Sequence, residues 1–132
     1  MPKYFSLEEA NALLPRLEPL VRRLQMLKRQ FDECQERLTA WGWKARGNGR
    51  AHDDGEMEAV RREAERLSRA LQQQVAEVQA FGCEVKDLDM GLLDFPTVRD
   101  GRVVYLCWRL GEPRIAYWHE LDAGFAGRQP LE

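Results

Sequence analysis

The chain has 132 residues, 44% hydrophobic and 32% charged, which suits one soluble, helix-rich domain with a modest core. A formal net charge of −2 and a pI near 5.8 exclude a general electrostatic pull toward nucleic acid or membrane surfaces. Three cysteines, Cys34, Cys83 and Cys107, form no CxxC pair, which argues against a disulfide framework or a structural zinc site and for a reducing cytoplasm.

The opening MPKYFSLEEA has no apolar run after its one basic residue and reads as no signal peptide. No apolar run approaches the roughly 20 residues of a membrane helix. Ser6-Leu7-Glu8-Glu9 reads as a capping box, in which Ser6 serves the Glu9 amide and Glu9 the Ser6 amide. A helical arm over 6–41 comes next, with a disturbance expected at Pro15, while Pro19 falls where a new first turn tolerates it. Its apolar positions are Leu17, Leu20, Leu24, Leu27, Phe31, Cys34, Leu38 and Trp41, an unbroken alternation of three and four.

Residues 42–53 break that period with glycines and basic side chains (Lys44, Arg46, Arg50), so a flexible basic tip is expected. Flanked by Trp41 and Trp43, it is too sparsely charged to imply nucleic acid. Asp53 or Asp54 is placed to cap a second helix over 54–81, with Met57, Val60, Ala64, Leu67, Leu71, Gln74, Val78 and Phe81 as its seam and Gly82 at its end. In an antiparallel hairpin, facing residue numbers sum to a constant. Leu17 with Phe81, Leu20 with Val78, Leu27 with Leu71 and Trp41 with Met57 all give 98. Gln74 falls opposite Leu24, where a polar seam residue fixes register. Leu13, Leu14, Val21, Val75 and Ala76 widen one end of the stripe, where another element should pack.

After Gly82 the period becomes strand-like, and a β-meander is expected over 90–119. GLLDFPTV supplies a strand from about Leu92, which Pro96 confines to a sheet edge. Asp100-Gly101 predicts a type I′ hairpin turn. RVVYLCW (102–108) is the central strand, Gly111-Glu112-Pro113 turns the chain, and Arg114 to His119 makes the third strand. Arg109, Glu112 and Arg114 around that second turn read as a surface charge cluster. Alternation sorts the strand side chains onto two faces. Leu93, Phe95, Val104, Leu106, Trp108, Ala116 and Trp118 form an apolar face for the hairpin. Asp94, Pro96, Val98, Val103, Tyr105, Cys107, Ile115, Tyr117 and His119 form a mixed one. A three-residue second loop pairs Cys107 with Tyr117 and Tyr105 with His119, and sets Asp94 across from Cys107.

A face with aromatic bodies, a carboxylate, a thiol and an imidazole is the place to look for a ligand or metal. The candidates are His119 as base or ligand, Asp94 as its acidic partner, Tyr105, Cys107 and Tyr117 beside them, and Arg128 as a fork for an anion. The tail over 120–132 can fold across this face, with Phe125 as its cover. Structural alternatives stand beside each: His119 bonded only to Glu120 or Asp122, Cys107 as a small buried hydrophobe, and the whole face covered by a second subunit. A Cys107–His119 nucleophile pair is disfavoured by the two-residue strand offset. Asp87, Asp89 and Asp94 match no calcium loop, and no phosphate loop, GxSxG, HExxH or GxGxxG occurs.

FSLEEANALLPRL, GLLDFP and WRLGEPRIAYWHELDAGFAGRQPL resemble a bacterial and archaeal family, domain of unknown function 2203. The resemblance covers nearly the whole chain outside 42–52. It implies no activity, cofactor or catalytic residue.

The expected fold is α+β: a long antiparallel two-helix coiled-coil hairpin with a small three-stranded antiparallel β-meander at its base. The expected function is a non-catalytic cytosolic interaction or scaffold module that self-associates as a homodimer, with no membrane or nucleic-acid partner. The alternative is a small metal- or anion-binding domain, or an enzyme, using the mixed face around His119.

Overall fold

The structure, a computed structural model, describes residues 3–48 and 54–132, with the side chains of 3–43 and 55–132. The chain is α+β: a hairpin of two helices, α1 (Leu7–Asn48) and α2 (Asp54–Gln79), followed by an antiparallel sheet. Its strands are β1 (Glu84–Asp87), β2 (Leu92–Arg99), β3 (Arg102–Arg109), β4 (Tyr117–His119) and β5 (Gln129–Pro130), with one turn of 3-10 helix at Phe125–Gly127. Among the described residues no helix is long and apolar enough to cross a membrane.

The capping box forms in both directions. The Glu9 amide donates to Ser6 Oγ at 3.0 Å, and the Ser6 amide donates to Glu9 Oε1 at 2.9 Å. From there α1 runs unbroken through Pro15 and Pro19. Each proline removes one helical hydrogen bond, at a cost of about 3 kcal/mol. Against that, Leu14, Leu17, Val21 and Leu24 on the same stretch are all buried, at about 1.5–3 kcal/mol each. Burial wins, and the expected disturbance at Pro15 does not end the helix. Nor does Gly42: α1 continues to Asn48, well into the stretch expected to be a loop. The remainder of that stretch, 49–53, lies outside the described residues, as does the side chain of Asp54.

The chain divides into two compact units. One is Met26–Gln73. Its interior is the seam itself, with Leu27, Cys34, Met57, Val60, Ala64, Leu67 and Leu71 buried. The Arg61 guanidinium covers the Trp41 ring at 5.5 Å.

The other unit joins the chain up to Gln25 with Gln74–Glu132. Here Leu17, Val21, Leu24 and Val78 share a core with Phe5, Leu93, Phe95, Val104, Leu106 and Trp108. Two helix side chains tie to the backbone of the loops between strands: Gln25 Nε2 donates to the Leu88 and Asp89 carbonyls, and Asn11 Oδ1 accepts the Ile115 amide. Gln74 is buried in the seam and donates to Glu77 Oε2. Ala76 is exposed, so the widening of the stripe is carried chiefly by α1.

The sheet has five strands in the order β1-β2-β3-β4-β5, where the sequence predicts three. The two additions are the short outer strands. β1 carries a register irregularity between Val85 and Asp87, and β5 is two residues of the tail. Neither is long enough to show a period of two. The central pairings agree with the alternation: Asp94 with Cys107, Tyr105 with His119, and Cys107 with Tyr117. The third strand of the expected meander is shorter than its sequence suggests, Tyr117–His119. Asp100 (φ 51) and Gly101 (φ 78) both take positive φ, as a type I′ turn demands.

Pro96 lies within an inner strand instead of at an edge, and the backbone explains why. Its carbonyl accepts the Phe5 amide at 2.8 Å, on the side away from β3. An extended residue points its N and O to the same side, so the missing N–H costs the β2–β3 ladder nothing. Thr97 Oγ1 donates to the Phe5 carbonyl alongside.

Candidate functional site

The alternation that buries Trp108 and Trp118 against one face sends Asp94, Cys107 and His119 to the other. These three come from adjacent strands β2, β3 and β4, and each is 0–1% exposed. One ligand-type atom of each (a carboxylate oxygen, Sγ and a ring nitrogen) lies within 4.8 Å of the others. Among the described residues this is the one group of three or more His, Cys, Asp or Glu side chains so arranged.

The polarity of His119 follows from its partners. Nδ1 lies 2.7 Å from the Glu120 carbonyl, which can only accept, so Nδ1 carries a proton and donates it. Nε2 therefore faces the Asp94 carboxylate, 3.0 Å from both oxygens. A neutral ring in that tautomer would point a lone pair at two carboxylate oxygens. The arrangement needs a proton or a cation between them: a second ring proton, a proton on the Asp94 carboxyl, or a metal ion. A backbone carbonyl fixing one nitrogen while the other faces a carboxylate is the support that metal-binding imidazoles receive.

Burial dominates the ionisation of the neighbours. It raises the Asp94 carboxyl above the usual range, against the lowering effect of the His119 hydrogen bond. It also pushes the Cys107 thiol up to about 12, with the Asp94 charge adding to the effect.

The remaining candidates surround this centre. The Tyr105 ring is 5.5 Å from His119, and its hydroxyl donates to Glu84 Oε2 at 2.6 Å. Tyr117 is 36% exposed, and its ring lies 4.0 Å below the Arg128 guanidinium. Arg128 does not extend its fork to open solvent. Nη2 donates to both oxygens of Glu112 at 2.8–2.9 Å, and the Phe125 ring lies 4.7 Å away. The tail is thus fastened over the sheet by an Arg–Glu pair and two aromatic faces. Glu112, expected in a surface charge cluster with Arg109 and Arg114, is the anchor for that fastening.

Asp94 and His119 line a cleft of about 280 Å³ together with Lys86, Asp87, Met90, Leu92, Leu121, Gly124 and Phe125. Sequence reasoning missed Glu84 and Lys86. Their signal, alternating charge on a four-residue strand, is too short to separate from a loop. Across the diagonal, Sγ of Cys107 and a ring nitrogen of His119 lie within 4.8 Å of one another, because the imidazole leans from β4 toward β2. His119 does find Glu120, but through the backbone carbonyl, and its acidic partner is Asp94 and not Asp122.

One family model, described as an uncharacterized conserved protein (DUF2203), matches residues 3–131. No curated protein and no solved structure matches the chain.

Proposed function

The chain belongs to that uncharacterized conserved family, and on the chemistry of its sheet we propose that it is a metal-binding domain whose centre is Asp94, Cys107 and His119. The observation that supports this is the His119 ring: its Nδ1 is committed to the Glu120 carbonyl while Nε2 faces both Asp94 oxygens at 3.0 Å, and one ligand-type atom each of Asp94, Cys107 and His119 lies within 4.8 Å of the others. Mixed nitrogen, sulfur and oxygen donors suit zinc and its neighbours rather than calcium or magnesium. Tetrahedral bonds of about 2.0–2.3 Å place ligand atoms roughly 3.3–3.7 Å apart. The donors need move only about an ångström or less to reach that spacing. Bound there, a dipositive ion would supply Lewis acidity; Glu120 would hold the imidazole in its ligating tautomer.

Cobalt loading tests this. The purified protein is incubated with Co(II) and passed through a desalting column, and metal and absorption are measured together. One retained equivalent with a thiolate-to-cobalt band is expected. The band should vanish in Cys107→Ser and persist in Cys34→Ser, with circular dichroism showing both variants folded. No retained cobalt, or a band that survives Cys107→Ser, sinks the proposal.

A second reading is favoured by a separate surface. Leu7, Val98 and Tyr117 are 36–56% exposed, and Leu7 with Leu131 lines two shallow clefts beside Tyr117 and Val98. On that reading the protein is cytoplasmic, its hairpin is a coiled coil, and it works as a homodimeric interaction module without nucleic acid. Sedimentation at micromolar concentration decides it: a 15 kDa species alone counts against the dimer.

A further inference from the structure

A centre of three donors beneath an open cleft can do more than hold the sheet together. Resting on the metal reading, we infer that the ion keeps one coordination position for an exchangeable ligand, and that this ligand is a small apolar molecule offering a single neutral nitrogen or oxygen donor.

The number of donors leaves that position open. A structural zinc-type site is closed by four protein ligands, whereas one with three leaves the fourth position to water or substrate. Asp94, Cys107 and His119 are three, and no fourth His, Cys, Asp or Glu among the described residues joins the cluster. Of the other acids on that side, Glu84 accepts the Tyr105 hydroxyl and the Lys86 ammonium, and Asp87 accepts the Met90 amide.

The cleft of about 280 Å³ marks where the missing ligand would lie. Two of the three donor residues, Asp94 and His119, line it, so it lies against the centre. Its size is just below that of cavities that take drug-sized ligands.

The walls select the ligand's chemistry. Met90, Leu92, Leu121 and Phe125 are apolar. The two charged wall residues are already engaged: Lys86 Nζ lies 3.1 Å from Glu84 Oε1, and Asp87 Oδ1 accepts the Met90 amide at 2.9 Å. Arg128 does not line the cleft, and its Nη2 is held by Glu112. A dipositive ion with the Asp94 carboxylate and a Cys107 thiolate is electrically neutral, so the centre exerts no net pull on an anion. An apolar body carrying one neutral donor matches all of these conditions.

The test uses the cobalt-loaded full chain, titrated with imidazole, benzimidazole and azide. Imidazole should shift the visible bands saturably and bind more tightly than azide. Benzimidazole should bind more tightly still, and Phe125→Ala should weaken it about fivefold while changing imidazole less than about twofold, since only the fused ring reaches the wall. A thiolate band that is present yet unmoved by imidazole means a closed coordination sphere; the inference then fails and the metal reading survives. Tighter binding of azide than imidazole overturns the neutral-donor class. If the protein before any addition of these ligands shows no thiolate band, the metal reading itself has failed and this inference with it.

Discussion

The Nε2 of His119 lies 3.0 Å from both carboxylate oxygens of Asp94, and the two side chains are 1–2% exposed. Two groups of this kind remain buried only if each answers the other, because stranding one charge in a core costs about 3–5 kcal/mol. In excess chelator, Asp94→Ala and His119→Ala should each lower the unfolding free energy by about that amount. The double variant should lose much less than the two together. Urea denaturation of the four proteins measures this. Additive losses would mean that the pair is not coupled.

The Tyr105–Glu84 hydrogen bond predicts a pH window. The Tyr105 hydroxyl is the main cause holding the Glu84 carboxyl below its ordinary 4.5, and Glu84 is the main cause raising the Tyr105 phenol above its ordinary 10.0. A depressed carboxylate contributes stability that is present above 4.5 and fades as pH falls through its folded-state value. A raised phenol contributes stability that is present below 10.0 and fades as pH rises through its folded-state value. Tyr105→Phe should therefore cost a constant amount from about pH 5 to 9 and less on either side. With the Glu84 side chain 42% exposed, solvent screening keeps that amount under about 1 kcal/mol. A gap between wild type and variant that stays flat down to about pH 3 would remove Glu84 as the partner.

Cys83 should be inert in the folded protein. It is 2% exposed, its Sγ contacts the Val78 carbonyl at 3.4 Å, and burial pushes its thiol up to about 12. At about pH 8.5 that leaves on the order of one thiolate in several thousand, and the thiolate is the species that is alkylated. Iodoacetamide followed by peptide mass mapping should find Cys83 unmodified in buffer and fully modified in urea. Rapid labelling of the native protein would contradict the burial.

Two glycines with positive φ should differ in what they tolerate. At Gly91 (φ +65) an added Cβ would lie 2.6 Å from Leu110 Cβ, whereas at Gly101 (φ +78) nothing lies within 4 Å. Both alanine variants carry the left-handed backbone penalty of about 1 kcal/mol. Gly91→Ala adds an overpacking cost of about 1–3 kcal/mol. Thermal unfolding should place Gly91→Ala well below Gly101→Ala. Equal melting temperatures would show that the chain gives way freely at Leu110.

What was legible in the sequence is periodic or local. The alternation of three and four from Leu17 to Trp41 and from Met57 to Val78 specifies two helices, because a helix repeats every 3.6 residues or so whatever surrounds it; the second ends at Gln79, so Phe81, expected as its last seam residue, falls in the turn after it. Asp100-Gly101 specifies its turn through backbone sterics alone. Alternation along β2, β3 and β4 was enough to put Asp94, Cys107 and His119 on one face, since side chains on a strand have a period of two.

Tertiary structure decided the rest. β1 and β5 exist because β2 and β4 offer open backbone edges, and that pairing leaves no trace in segments of four and two residues. α1 passes Pro15, Pro19 and Gly42 because packing of its apolar stripe outweighs local penalties that act on single residues. The sequence by itself could say that an imidazole, a thiol and a carboxylate share a face. Only the packed sheet, with Glu120 turning the His119 ring toward Asp94 and the tail fastened through Arg128, brings their donor atoms within 4.8 Å of one another. Convergence of that kind depends on side-chain direction and burial, which no spacing along the chain records.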